Sequence, residues 1–139
     1  MRIQSLHISF IMPTKGTDQA GAFDIYMPEA GIIWATTKFV GLGFAAEVPT
    51  GHVALLLPRS STGAQFGVEL NNTCGVIDSD YRGEWKAALK TKDGGQFSWN
   101  KGERVLQFIV VPLAQVTLEL VDSVSKTNRG TGGFGSSGK

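Results

Sequence analysis

The segment Gly75-Val-Ile-Asp-Ser-Asp-Tyr-Arg-Gly-Glu-Trp85 holds the densest polar cluster in the chain. Val76 and Ile77 lead into Asp78-Ser79-Asp80, and Tyr81-Arg82-Gly83 lead out towards a strand-like run. The pattern predicts a hairpin tip that carries two carboxylates and a phenol. Asp and Ser are also ordinary turn formers, so a plain solvated turn is the competing reading. A carboxylate held by a rigid scaffold within hydrogen-bond reach of a water can act on it as a general base. Spacing does not distinguish Asp78 from Asp80 for that role.

A second set of residues suits phosphate. In Pro58-Arg-Ser-Ser61, Arg59 can fork two oxygens while Ser60 or Ser61 donates to a third, although surface Arg-Ser pairs are common. Asp24, at the end of Gly21-Ala-Phe-Asp24, is either a turn residue or a carboxylate that holds a water on a metal ion. Gln107 interrupts the apolar run Val105–Val111; a buried amide needs hydrogen-bond partners, so it is structural glue or a ligand contact.

The stretch Arg129-Gly-Thr-Gly-Gly-Phe-Gly-Ser-Ser-Gly-Lys139 has five glycines, two serines and the single aromatic Phe134. Its freed backbone N–H groups, hydroxyls and Arg129 suit phosphate, and the Phe134 ring suits a flat base. The same composition suits a flexible spacer. It matches neither a Walker loop nor a dinucleotide fingerprint, which need a helix after the glycines. His7 and His52 have no partners at metal-ligand spacing, and Cys74 reads as a small buried hydrophobe.

These residues need a scaffold, and the chain reads as strands. Arg2–Ile11 has a two-residue beat. Val53–Leu57 is a short apolar run that stops at Pro58. Trp85–Lys92 and Val116–Val121 alternate, and Val105–Val111 reads as buried on both faces. Pro49-Thr-Gly51, Asp93-Gly-Gly95 and Asn100-Lys-Gly102 are turn signals between them. No stretch combines helical periodicity with caps. The expectation is an all-β sandwich or jelly roll. It would occupy residues 1–122, followed by a hinge at Ser123–Asn128 and a glycine-rich arm, together 123–139. Trp34, Trp85 and Trp99 read as core residues.

At 139 residues the chain is long enough for one domain with a real core. A formal net charge of +1 argues against a surface for a nucleic-acid polymer, yet leaves room for a small charged ligand. The single Cys74 excludes an internal disulfide framework and a cysteine-based zinc site. Gln4, Ser5, His7 and Ser9 break the first apolar positions, so no signal peptide is read, and no apolar run is long enough to span a membrane. The expected location is cytoplasmic, or the host cytoplasm for a viral or phage protein.

In their order, five segments closely resemble the motifs of the trimeric dUTPase family: Ala20-Gly-Ala-Phe-Asp24, Pro58-Arg-Ser-Ser61, Gly75–Glu84, Gly102-Glu-Arg-Val-Leu-Gln107 and Arg129–Gly138. The third and fifth are highly specific. Thr62-Gly63, where Leu-Ala is frequent, and Glu103, where Asp is usual, are mild departures. The resemblance implies a β jelly roll that forms a homotrimer with active sites at subunit interfaces. It implies hydrolysis of dUTP to dUMP and pyrophosphate with Mg²⁺, which limits uracil in DNA and supplies dUMP for dTMP synthesis.

The resemblance also implies residue roles. Asp78 becomes the base that deprotonates the water attacking the α-phosphorus, and Asp80 a turn residue. Ser60 and Ser61, Arg59, Gln107, Arg129, Gly132, Gly133, Gly135, Ser136 and Ser137 become the contacts to the phosphate chain. Asp24 becomes a magnesium ligand acting through water, with the ion held mainly by the substrate phosphates. The backbone near Gly75 and Ile77, supported by Asn72, would complement uracil, whose donor lies between two acceptors; cytosine would leave buried groups unpaired. Tyr81 would pack on the deoxyribose and exclude a 2′-hydroxyl, and Phe134 would cover the base.

Ordering about eight residues of the arm costs on the order of 10 kcal/mol, while each hydrogen bond to a charged group returns about 1.5–3 kcal/mol. The arm is therefore expected to close on a triphosphate and to be unstructured without one. A dCTP deaminase resembles the second and third motifs, but this sequence lacks the catalytic glutamate that would follow the hairpin and carries the complete arm. Viral or phage relatives add a further expectation, a regulatory protein partner.

Overall fold

The computed structural model describes residues 1–133, the side chain of Asp93 excepted. Phe134, Gly135, Ser136 and Ser137, expected above to contact a ligand, lie outside the described residues. The strands in chain order are β1 (Arg2–Ser5), β2 (Thr14–Lys15), β3 (Phe23–Tyr26), β4 (Gly31–Ile33), β5 (Lys38–Gly41), β6 (Phe44–Glu47), β7 (His52–Pro58), β8 (Val68–Leu70), β9 (Gly75–Ile77), β10 (Lys86–Thr91), β11 (Phe97–Trp99) and β12 (Arg104–Pro112). The largest sheet has the order β2-β3-β12-β7-β9, and a second has β5-β10-β8. The pairs β1-β6 and β4-β11 complete an all-β, jelly-roll-like fold. No helix among the described residues is long and apolar enough to cross a membrane.

The core lies between the two main sheets. Ile25, Leu56, Leu106 and Phe108 from the large sheet meet Val68, Leu70, Ala87 and Leu89 from the smaller one, all buried. Trp85 sits among them, tilted against Phe44 at 5.1 Å and edge-on to Phe108 at 5.2 Å, an arrangement that suits the ring quadrupoles. Trp99 is also buried, but Trp34 is 49% exposed and does not belong to the core.

Several expectations are corrected. Strand β12 is not fully buried on both faces: Val105, Leu106 and Phe108 are buried, while Gln107, Ile109 and Val111 are half-buried. The antiparallel pleat puts alternate residues on opposite faces, and among the described residues no further sheet packs on the outer one. The strand expected over Arg2–Ile11 stops at Ser5, where its partner β6 runs out. Val116–Val121 pairs with no strand among the described residues, so alternation there produces no strand. Cys74 is half-buried rather than buried.

A short helix, α1 (Ser60–Phe66), stands where none was expected. Only Thr62 of it is buried, so no apolar periodicity betrays it. It is stopped by Gly67 at φ 63°, whose N–H donates to the Thr62 carbonyl. Thr62 Oγ1 donates to the Val105 carbonyl at 2.8 Å and lies 3.0 Å from that of Arg59, which ties the helix to β12.

The region Gly75–Trp85 is also not a hairpin. Strand β9 pairs with β7 in the large sheet, whereas β10 pairs with β5 and β8 in the other. The polar residues between them form a crossing between layers.

Candidate active site

Asp24 sits in β3, buried at 7% exposure, with Gln107 of β12 as its cross-strand partner. Its Oδ1 accepts from Arg59 Nε at 2.8 Å and its Oδ2 from Arg104 Nη1 at 3.0 Å. A buried carboxylate needs such compensation, because burial penalises an unpaired charge. Arg59 also donates from Nη1 to the Arg104 carbonyl at 3.2 Å. Two of its three guanidinium nitrogens are thus committed to the protein. Among the described residues the third has no partner, and in the fixed plane of the guanidinium it suits an anion.

Arg59 occupies the turn from β7 into α1 with an extended backbone, and Ser60 and Ser61 begin the helix beside it. Gln107 Nε2 donates to the Pro58 carbonyl at 3.1 Å. That is structural glue at the same turn, and it leaves the amide oxygen for another donor. Arg59, Gln107 and Asp24 are therefore gathered at one end of the large sheet, beside a cavity of about 590 Å³ that Arg59, Thr62, Phe66 and Arg104 help to line.

Arg104 was missed as a site residue. Strict alternation would put residues 104 and 107 on opposite faces. A register shift between Arg104 and Leu106 breaks that alternation, and Arg104 reaches Asp24. The only hint in the sequence is a cation at the start of an otherwise apolar strand. Next to it, Asn100 holds Glu103: the Asn100 side-chain amide and then its backbone N–H donate to the carboxylate at 3.0 Å each. These bonds lower the Glu103 pKa below its ordinary value of 4.5.

The second group of residues surrounds β9. Gly75 pairs with Leu56 so closely that an added Cβ would lie 2.9 Å from the Leu56 Cβ, which explains the glycine. Asn72 Nδ2 donates to the Cys74 carbonyl at 3.1 Å and braces the turn that enters the strand. Ile77 pairs with Ala54, and the exposed Asp78 follows, its carbonyl accepting from the Tyr81 N–H at 3.2 Å. Val76, Ile77, Asp78, Tyr81 and Lys86 line a small cavity of about 170 Å³. Lys86, a cation beside Asp78, is a further residue that the sequence reading passed over. Asp80 is exposed on the same loop.

The beginning of the glycine-rich segment is exposed. Arg129 Nε donates to the Gly132 carbonyl at 2.9 Å, in a turn that includes Gly130 at φ 52°. Gly132 and Gly133 follow, away from any strand.

One chain does not bring these groups together. Ile77 lies opposite Ala54, so Asp78 falls level with Val53, six residues back along β7 from Arg59. At about 3.3 Å per residue, Asp78 and Arg59 stand roughly 20 Å apart at opposite ends of the strand. A water-activating carboxylate and a phosphate clamp at that distance cannot act on one phosphorus within a single copy. Among the described residues no group of three or more His, Cys, Asp or Glu side chains is placed to hold a metal ion.

The dUTPase family model matches residues 9–138. A deoxyuridine 5′-triphosphate nucleotidohydrolase from Nautilia profundicola is 37% identical over 140 residues, covering 100% of this chain and 99% of that protein. The dUTPase of Staphylococcus bacteriophage 80alpha, solved with dUPNHPP, superposes with a TM-score of 0.89 at 24% identity, covering 99% of this chain and 98% of the other. A dUTPase variant from phage phi11 of S. aureus, solved to reveal coordination of a structural Mg(II) ion, superposes at 0.78 with 19% identity, covering 88% and 96%.

Proposed function

We propose that this chain, which belongs to the dUTPase family, hydrolyses dUTP to dUMP and pyrophosphate in a site built from more than one copy of itself. The observation that carries the composite site is the separation of Asp78 from the Arg59–Asp24–Gln107 end of the sheet. Copies arranged so that the β9 end of one meets the α1 end of another bring the two halves together. A homotrimer is the assembly proposed, with the glycine-rich segment of a further copy closing over the site.

Unpartnered apolar surface supports association. Leu55, Leu57, Ile109 and Val111 are half-buried on the outer face of the large sheet, and Val76 is 60% exposed. Val116, Leu118, Leu120 and Val124 are exposed on a segment that makes no backbone hydrogen bond between Leu113 and Thr127 among the described residues. Backbone groups and apolar side chains left in this state favour a partner.

In the reaction, Asp78 takes a proton from a water as that water attacks the α-phosphorus, and the bond to the bridging oxygen breaks to release pyrophosphate. The exposed position of Asp78 beside the small cavity leaves it open to water. Ser60 donates near the bridging oxygen, where negative charge grows, and Ser61 donates beside it. The free guanidinium edge of Arg59, the Gln107 amide and Arg129 hold the phosphate chain, with Gly132, Gly133, Gly135, Ser136 and Ser137 adding donors. Backbone groups at Gly75 and Ile77, braced by Asn72, pair with uracil. Tyr81 packs on the deoxyribose and Phe134 on the base.

The donor set fits a hydrated Mg²⁺ carried by the phosphates and no dense protein cage, since such an ion keeps most of its waters. When bound it would neutralise phosphate charge. Asp24 has a second lone pair on each oxygen, so it can accept from a metal-bound water while both arginines stay in place.

The decisive assay offers dUTP, dCTP, dTTP and UTP with Mg²⁺ and follows pyrophosphate and ammonia. Pyrophosphate from dUTP alone is expected. Ammonia from dCTP would instead identify a deaminase, and no turnover of any nucleotide would reduce the site to a binding function.

A further inference from the structure

Tyr81 is 43% exposed, and one hydrogen bond fixes its ring: the hydroxyl donates to the Glu84 carbonyl at 3.0 Å. The anchor itself is rigid. Glu84 Oε1 accepts from the Gly43 N–H at 3.1 Å, and the next residue, Trp85, is fully buried with its N–H on the Phe44 carbonyl at 2.9 Å. Between ring and anchor stands Gly83. A Cβ built there would lie 2.7 Å from Tyr81 Cζ and 3.1 Å from Cε2, and nearest of all to the hydroxyl. Carbon atoms in ordinary contact stand at about 3.5 Å or more. The ring therefore occupies space that any other residue at 83 would fill.

Gly83 is not among the glycines with positive φ, so its backbone accepts an alanine without strain. What an alanine would disturb is the Tyr81 ring. The three atoms nearest to such a Cβ all belong to the Tyr81 phenol, which must move by about 1 Å to restore ordinary contact. The ring also forms a wall of the small cavity that holds Asp78 and Ile77.

We propose that Gly83 is a positioning residue that sets sugar specificity: the missing side chain and the Glu84 carbonyl together hold the Tyr81 ring where a 2′-hydroxyl would have to go. The inference rests on the reading that Tyr81 packs on the deoxyribose. It assigns to a residue that touches no substrate the discrimination of dUTP from UTP. A ring displaced by about 1 Å no longer stands at the position that Gly83 and the Glu84 carbonyl set, and a change of one methylene in a pocket is worth about 10–200-fold in selectivity.

The test measures kcat/KM for dUTP and for UTP in the intact protein and in Gly83→Ala, Tyr81→Phe and Tyr81→Ala. Gly83→Ala is expected to lower the dUTP/UTP ratio by about tenfold or more, with the melting temperature near that of the parent. Tyr81→Phe, which keeps the ring but loses its anchor, is expected to lower the ratio severalfold. If Tyr81→Ala lowers the ratio but Gly83→Ala leaves it at the parent value, the role of Gly83 is overturned and the sugar contact stands. If Tyr81→Ala leaves the ratio unchanged, the sugar contact fails and the inference with it. Should Gly83→Ala not fold, Tyr81→Phe decides, and an unchanged ratio there overturns the proposal.

Discussion

Arg59 donates from Nε to Asp24 Oδ1 at 2.8 Å, and the pair joins the turn after β7 to the middle of β3. Arg104 closes the other side of the same carboxylate at 3.0 Å. The result is a guanidinium with one free edge, held by two strands and a helix start. Fixing that edge before a ligand arrives saves the cost of ordering a long side chain on binding.

Replacing Asp24 by Asn should therefore loosen Arg59. The expected outcome is a KM for dUTP raised about tenfold with a smaller change in kcat, the signature of lost uniform binding. Half-saturating Mg²⁺ should also rise. A Mg²⁺ dependence identical to the parent's would remove Asp24 from the metal's surroundings and leave it the clamp alone. The loss of a charged hydrogen-bond acceptor should cost about 1–3 kcal/mol in denaturant unfolding.

Asp78→Asn should lower turnover on the order of 10²–10⁴-fold while nucleotide still binds. Isothermal titration with a non-hydrolysable dUTP analogue separates the two effects. Near-normal turnover would show that another group takes the proton.

A composite site can be tested by complementation. Asp78→Asn and Arg59→Ala chains should each be nearly inactive alone. Refolded together in equal amounts, they should regain activity in about one site in four by random assembly, if each site draws the two residues from different copies. No recovery from a mixture shown by native mass spectrometry to contain hybrids would place both residues in one copy's site.

Deleting residues 129–139 should abolish most turnover and leave the assembly intact by sedimentation, because the phosphate donors proposed there take no part in the described core. Turnover close to the parent's would make the segment a spacer.

Glu103 offers a pH test. Its two bonds from Asn100 favour the charged carboxylate and lower its pKa below 4.5. A group depressed in the folded state adds stability that is present above its unfolded pKa and is lost as pH falls through the folded value. NMR titration of the Glu103 carboxyl should thus give a midpoint below 4.5, and Asn100→Ala should move it back towards that value. A midpoint that does not respond to Asn100→Ala would refute the assigned cause.

Much of the scaffold was legible. The apolar runs at 53–57 and 105–111 became β7 and β12, because alternation and turn residues are local signals that burial then rewards. Trp85 became the centre of the core, as a large apolar ring flanked by strand residues should. The failures have physical causes. Helix α1 carries no apolar stripe, since hydrogen bonds from Thr62 rather than a buried face attach it. Alternation at Val116–Val121 met no partner strand among the described residues, and a strand needs one. The bulge that delivers Arg104 to Asp24 leaves no trace in periodicity.

The sequence by itself determined the chemistry that was available: a carboxylate pair at 78 and 80, an Arg-Ser-Ser turn, a lone amide in an apolar strand, and glycines around a phenylalanine. Side-chain types and order along the chain settle such questions without coordinates, as does membership in a family. Only the tertiary structure decided distance. It clamped Asp24 between two arginines, reserved one edge of Arg59, seated Tyr81 in the space above Gly83 and put Asp78 at the far end of β7. The physical reason is that strand pairing joins residues far apart in sequence and separates near ones by sheet geometry, which no local pattern encodes.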